Sequence, residues 1–141
     1  MNYSIQSGRM IITDTAHAIH GDDQVILDNV ETGNWYSYIQ PYQNGSLFTT
    51  YSNSCPEEMY AQDVCRVGMV SGQVGIFDYT RFRDIVYDDE QLSFCSKIVN
   101  ICNTNFGTVV SSIFSDGIFD TTVWRSSNGN VIAIYIYFEE S

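Results

Sequence analysis

Basic residues are what this chain has least of: one lysine, Lys97, and five arginines stand against seventeen acids, leaving a formal charge of -11 and a pI near 4.2. Charged residues make up only 16% of the chain, well under the usual quarter, so the imbalance comes from missing bases more than from surplus acids. Such a surface repels phosphate backbones at physiological salt, which argues against direct nucleic-acid binding. Apolar runs are short as well, and none reaches the roughly 18 residues that a membrane-spanning helix requires. The first residues carry neither a basic stretch nor a long apolar one, so the chain reads as soluble, not exported and cytoplasmic.

Leucine and alanine are also scarce, seven together against 27 isoleucines and valines, while aromatics reach 14%. β-Branched and aromatic side chains lose freedom in helices and fit a pleated, half-buried surface. The expected class is therefore all-β, an antiparallel β-sandwich or partly closed barrel with at most one short helix. A chain of 141 residues buries roughly two-thirds of its unfolded surface, and no linker or composition break divides it. One acidic domain over 1–141 is expected.

Close cysteine pairs are absent too. Cys55, Cys65, Cys95 and Cys102 are too widely spaced for the usual zinc patterns, and without an export signal they are expected as reduced core thiols. His17 and His20, flanked by Asp14, Asp22 and Asp23, form the densest set of possible metal ligands. They lack the HExxH arrangement and the regular oxygen spacing of a calcium loop, so a polar loop is the simpler reading. No nucleophile elbow or phosphate-cradling glycine loop occurs. Cys55, at the start of an expected helix, is the one cysteine placed for a lowered pKa, but no histidine partner is evident. No catalytic residue, cofactor or metal is assigned.

Two segments echo each other. Ser7-Gly8-Arg9-Met10-Ile11-Ile12-Thr13-Asp14 and Ser71-Gly72-Gln73-Val74-Gly75-Ile76-Phe77-Asp78 share Ser, Gly, Ile and Asp at equal offsets, which suggests an internal duplication (7–14 and 71–78). Each aspartate is expected to close a strand as a turn or cap. Between the copies, Val25 to Leu27, Trp35 to Ile39 and Leu47 to Tyr51 read as a meander around Glu31-Thr32-Gly33-Asn34 and Asn44-Gly45. Ser54-Cys55-Pro56-Glu57 has the spacing of a helix start, predicting a helix over Cys55 to Asp63. Tyr79 to Glu90 reads as a polar connection. Strands are expected at Leu92 to Ile101, Thr108 to Phe114, Ile118 to Trp124 and Val131 to Phe138. The last two flank Asn128-Gly129, the clearest hairpin turn. The final strand is apolar on both faces, so it is expected at the centre, packed on both sides.

The order Ser71 to Asp78, Phe94-Cys95, Val109-Val110-Ser111-Ser112, Ser115-Asp116-Gly117 and a final hairpin ending in Ile136-Tyr137-Phe138 resembles a group of small bacterial and phage proteins of unknown function. The resemblance covers roughly Arg66 to Phe138, with Ser7 to Asp14 similar to the group's opening motif. Here Ser115-Asp116-Gly117-Ile118-Phe119 replaces the group's Gly-Asp-Gly-Ser-Tyr, so a site built on those hydroxyls does not carry over. The resemblance implies an all-β fold and no activity.

Aromatics crowd one stretch: Trp35, Tyr36, Tyr38, Tyr42, Phe48, Tyr51 and Tyr60. Such rings divide between core and surface, and exposed tyrosines suit protein recognition. The sequence thus points to a non-catalytic acidic binding protein, an inhibitor or immunity-type module that engages a basic protein surface, with a phage anti-defence role among its settings. The candidate binding residues are Trp35, Tyr36, Tyr38, Tyr42, Glu57, Glu58, Asp88, Asp89 and Glu90. The alternative is a small-ligand or metal-dependent enzyme using the acids that close strands or turns, Asp14, Asp78, Asp116 and Asp120.

Mutual repulsion of the uncompensated acids opposes the compact state. Mild acidification toward the pI relieves it, so the folded state takes up protons in this window and stability rises as pH falls. The melting temperature at low salt is expected to be higher near about pH 5.5 than near about pH 8, with the gap closing in added NaCl. A steady fall over that range, measured on dilute protein, would show that the acids are mostly compensated.

Overall fold

In the computed structural model, residues 2–14, 24–53, 61–69, 73–85, 101–111 and 117–139 are described. They form two antiparallel sheets facing each other across one apolar core, with one short helix. β1 (Asn2–Ile5), β4 (Gly33–Tyr42), β5 (Gly45–Ser52), β6 (Ala61–Met69), β10 (Gly117–Arg125) and β11 (Val131–Glu139) make a six-stranded sheet in the order β1-β4-β5-β11-β10-β6. β2 (Met10–Asp14), β3 (Val25–Leu27), β7 (Gln73–Asp78), β8 (Ile101–Asn103) and β9 (Gly107–Ser111) make a five-stranded sheet in the order β3-β2-β7-β9-β8. The helix α1 is Tyr79–Ile85. The all-β sandwich expected from the β-branched composition is what the chain forms, and neither sheet closes into a barrel.

The period-two pattern of strands assigns each side chain to a layer. Ile134, Ile136 and Phe138 of β11 enter the core with Phe48, Trp35, Val123 and Tyr3, and meet Ile12, Met10, Ile76, Val74 and Val110 from the other sheet. Trp35 satisfies its indole N–H with the Glu31 carbonyl at 2.8 Å. Tyr3 is equally buried. Burial pushes its phenol well above the usual range, so it stays protonated and donates to Thr50 Oγ1 at 2.6 Å. Thr50 also accepts from Ser37 and donates to the Tyr36 carbonyl, so the polar cluster closes on itself.

The hairpin at Asn128-Gly129 forms as expected, with Gly129 at φ +89° and Arg125 donating to the Gly129 carbonyl at 2.9 Å. Its second strand, β11, lies between β5 and β10. Val131, Ile132, Ala133 and Ile134 are all buried, so the expectation that β11 is packed on both faces holds for its first half; it is corrected for the second, where Tyr135 and Tyr137 on the outward side are half-buried among other rings. The meander is corrected as well, because β3 pairs with β2 in the five-stranded sheet and only β4 and β5 form a hairpin. Between β3 and β4 the chain changes sheets. Val30 pins the crossing, its N–H bonded to the Gly8 carbonyl at 2.9 Å, while Val131 donates to Asn29.

The helix also lies elsewhere than expected. Ala61 to Asp63, the end of the predicted helix, belong to β6, and the earlier part of that prediction falls outside the described residues. The helix occupies the start of the presumed polar connection at Tyr79, because Asp78 caps it. Of the strand expected over Leu92 to Ile101, only Ile101 is described, at the start of β8.

Ile134 is fully buried at the centre of the larger sheet. Ile134→Asp places an unpaired charge there and is expected to cost several kcal/mol, removing cooperative unfolding. A variant that melts like the parent would refute the central placement.

Candidate functional site

Two places bring together the residues that the sequence singled out. The first is Asp78, a side chain only 1% exposed. Its Oδ2 accepts the backbone N–H groups of Gln6 at 2.7 Å and Ser7 at 2.8 Å, and its Oδ1 accepts that of Arg81 at 3.2 Å. The last contact joins an N-cap side chain to the third residue of α1. Burial alone would push this carboxyl up, but the hydrogen bonds from Ser7, Gln6 and Arg81 outweigh it and hold the group below the ordinary carboxylate range. Three main-chain N–H groups from two separate segments meet on this carboxylate, which is the arrangement of a cap and a clamp.

The register of β2 and β7 bears on the alternative reading, in which acids of the two echoed strands meet in one pocket. Ile12 pairs with Ile76, its own counterpart in the echo, Asp78 pairs with Met10, and Asp14 pairs with Val74. The two aspartates therefore sit at opposite ends of an antiparallel ladder, about 13 Å apart along it. Asp120 lies in the other sheet, exposed and 3.5 Å from Arg66. Asp116 falls outside the described residues, as do His17, His20 and Cys55. Cys65 is half-buried against the core, and burial together with Asp63 pushes its thiol up, away from the reactive thiolate.

The second place is the outward face of the six-stranded sheet. Alternation puts Tyr36, Tyr38 and Tyr42 of β4, Leu47 and Tyr51 of β5, Tyr135 and Tyr137 of β11 and Trp124 of β10 on that side, opposite the core residues of the same strands. The rings meet in chains. Tyr51 lies 5.7 Å from Tyr36 and 6.2 Å from Tyr38, Tyr42 stands edge-on to Tyr137 at 5.6 Å, and Trp124 is 6.2 Å from Tyr135. Tyr42 reaches across to β11 because Gly45, the residue opposite it on β5, presents no side chain. Tyr38 and Tyr42 are each 44% exposed. Arg66 and Asp120 face each other on β6 and β10.

Cross-strand aromatic pairs stabilise a sheet by themselves, by about 0.5–1.5 kcal/mol each, so pairing alone does not mark a site. The comparison with the other sheet is more telling. The outward side of the five-stranded sheet is covered around β7: Phe82 of α1 stacks on Phe77 at 4.9 Å, Phe106 lies 5.7 Å from Phe77, and Ile11 and Val109 are buried. Gly107 permits this, since a Cβ there would clash with Phe77 and lie 2.5 Å from the Ile76 carbonyl. One sandwich face is thus covered over its centre, with Ile26 of β3 left 38% exposed, and the other presents Tyr38 and Tyr42 to solvent.

Of the nine residues nominated for binding, Tyr36, Tyr38 and Tyr42 lie together on this face. Trp35 does not, and its nomination is corrected: the pleat turns it inward and buries it completely. Glu57, Glu58, Asp88, Asp89 and Glu90 lie outside the described residues. Tyr51, Tyr135, Tyr137 and Trp124 were not nominated, although the alternation of Tyr135 and Tyr137 with Ile134, Ile136 and Phe138 held the signal. Among the described residues, no three His, Cys, Asp or Glu side chains gather as a metal site would require. Comparisons with known protein families, with curated proteins and with solved structures find no match.

Asp78→Ala leaves three main-chain donors without their acceptor and is expected to cost about 3 kcal/mol in chemical denaturation. Because the folded carboxyl titrates below its ordinary range, its stabilisation is present above the unfolded pKa and lost as pH falls through the folded one. The difference between parent and variant should therefore shrink in acid. An Ala variant as stable as the parent at neutral pH would overturn the clamp.

Proposed function

We propose that this chain is a non-catalytic binding protein, of the inhibitor or immunity kind, that receives a partner with a basic surface on the outward face of its six-stranded sheet. The observation that carries the reading is the contrast between the two sandwich faces, one covered at its centre by Phe82 and Phe106, the other lined with tyrosines of which Tyr38 and Tyr42 are exposed. Rings held by their neighbours bury large area at low entropic cost when a partner arrives.

Charge supports the choice of partner. Eight of the seventeen acids and five of the six bases belong to the described residues, a net -3 against -11 for the whole chain. Within the described residues, Asp28, Asp63 and Asp120 are each paired with an arginine. Most of the uncompensated charge thus belongs to the intervening and terminal segments. Long-range attraction of a basic protein comes from this net charge and is screened by salt, while close contact falls to the tyrosines. Among the described residues, no helix is long and apolar enough to cross a membrane.

The test compares capture from lysate by the parent and by Tyr38→Ser/Tyr42→Ser, at low and high NaCl. A partner held by the parent is expected to be lost about tenfold or more in the double variant, and to weaken with salt. Equal capture by the double variant, or capture indifferent to salt, would refute the proposal.

A further inference from the structure

Sheet edges offer unpaired main-chain groups, and folded proteins keep such edges short or covered. Among the described residues, three of the four sheet edges follow that rule. β3 and β8 have three residues each, and β1 has four, with its Ser4 N–H donated to the Asn105 carbonyl at 2.9 Å. The fourth does not. β6 runs for nine residues, is paired with β10 on one side, and carries no strand on its far side among the described residues. At its middle, Val64 is 62% exposed, the most exposed large apolar side chain among the described residues.

We propose that β6 is the contact between two copies of this chain, paired antiparallel about a two-fold axis through Val64, so that two six-stranded sheets join into one. Side-chain charge selects the register. Centring on Asp63 or on Arg66 sets like charges opposite each other, which destabilises a strand pair. Centring on Cys65 sets Val64 against Arg66 of the second copy. Centring on Val64 places valine on valine and Asp63 opposite Cys65, with no like-charge pair. Directly opposed residues of an antiparallel pair share a face, so the tyrosine faces of both copies come to lie on the same side of the joined sheet. The contact is isologous, and each partner supplies the same edge.

This inference stands independently of what the tyrosine face binds, and salt separates the two. Each copy carries -11, so association of copies works against like charge and strengthens with added NaCl, the reverse of binding to a basic partner. One strand edge is a small interface, so the dimer is expected to be weak, with dissociation at about 10–100 µM.

Sedimentation equilibrium of the parent over that range is expected to show mass rising toward twice 16.0 kDa, more completely in high salt. Val64→Lys is expected to remain at the monomer mass throughout, and Tyr38→Ser/Tyr42→Ser to dimerise like the parent. In a Cys65→Ser background, Val64→Cys is expected to give a disulfide between residues 64 of two copies under mild oxidation, since opposed Cα atoms about 4.5–5.5 Å apart are within bridging range. Mass mapping of that peptide decides the matter even where the lysine variant fails to fold. A parent that stays monomeric in high salt, a Val64→Lys protein that still dimerises, or the absence of the 64–64 link would overturn the proposal.

Discussion

One buried carboxylate sets the corner on which both sheets depend. Asp78 is a carboxylate only 1% exposed, and it spends its acceptors on the turn between β1 and β2 and on the start of α1. At that turn the chain leaves the six-stranded sheet for the five-stranded one. Next to it, the Gly8 carbonyl accepts from Val30, and the Arg9 carbonyl accepts from Tyr79. Both early sheet changes therefore pass through one hydrogen-bonded corner. The apolar core sets how strongly the layers attract, and the corner sets how they are joined. Burying a charge is costly unless hydrogen bonds replace its water, which is why three main-chain donors converge on Asp78.

Much of this was legible where one side chain type decides one local outcome. The Ile and Val excess called for sheets, Asn128-Gly129 gave the last hairpin, and the apolar final strand went to the middle of the larger sheet. What was not legible depended on partners distant in sequence. Val25 to Leu27 and Trp35 to Ile39 read as neighbours in a meander because the intervening Gly33 resembles a hairpin turn. Val30, which carries the chain to the other sheet, has no local signature beyond being apolar. Asp78 was read correctly as a cap, yet the helix it caps was missed, because Tyr79, Thr80 and Phe82 have weak helical preference and tertiary stacking of Phe82 on Phe77 supplies the rest.

The candidate site divided along the same line. Trp35 and Tyr36 are adjacent and equally aromatic, so composition alone gives no reason to separate them. The pleat does, sending Trp35 to the core and Tyr36 outward, and only the register with β5 says which parity faces in. Once that parity is set, Tyr38, Tyr42, Tyr51, Tyr135 and Tyr137 follow as a set. Charge was legible as a total and not as a distribution, since the described residues carry little of the net charge and pair three of their acids.

The echo between Ser7 to Asp14 and Ser71 to Asp78 shows why likeness in sequence is a poor guide to convergence in space. Matching offsets identify equivalent residues, and antiparallel pairing of two equivalent strands relates them by a local two-fold axis. That axis passes through the Ile12 and Ile76 pair. Any residue two positions beyond the axis in one strand is carried to the far end by the time its counterpart is reached in the other. Asp14 and Asp78 therefore diverge because they are equivalent, and a shared carboxylate pocket would have required parallel pairing or different offsets. Each aspartate is left to its own end of the ladder, and at one end it became the clamp that ties the first turn to the helix.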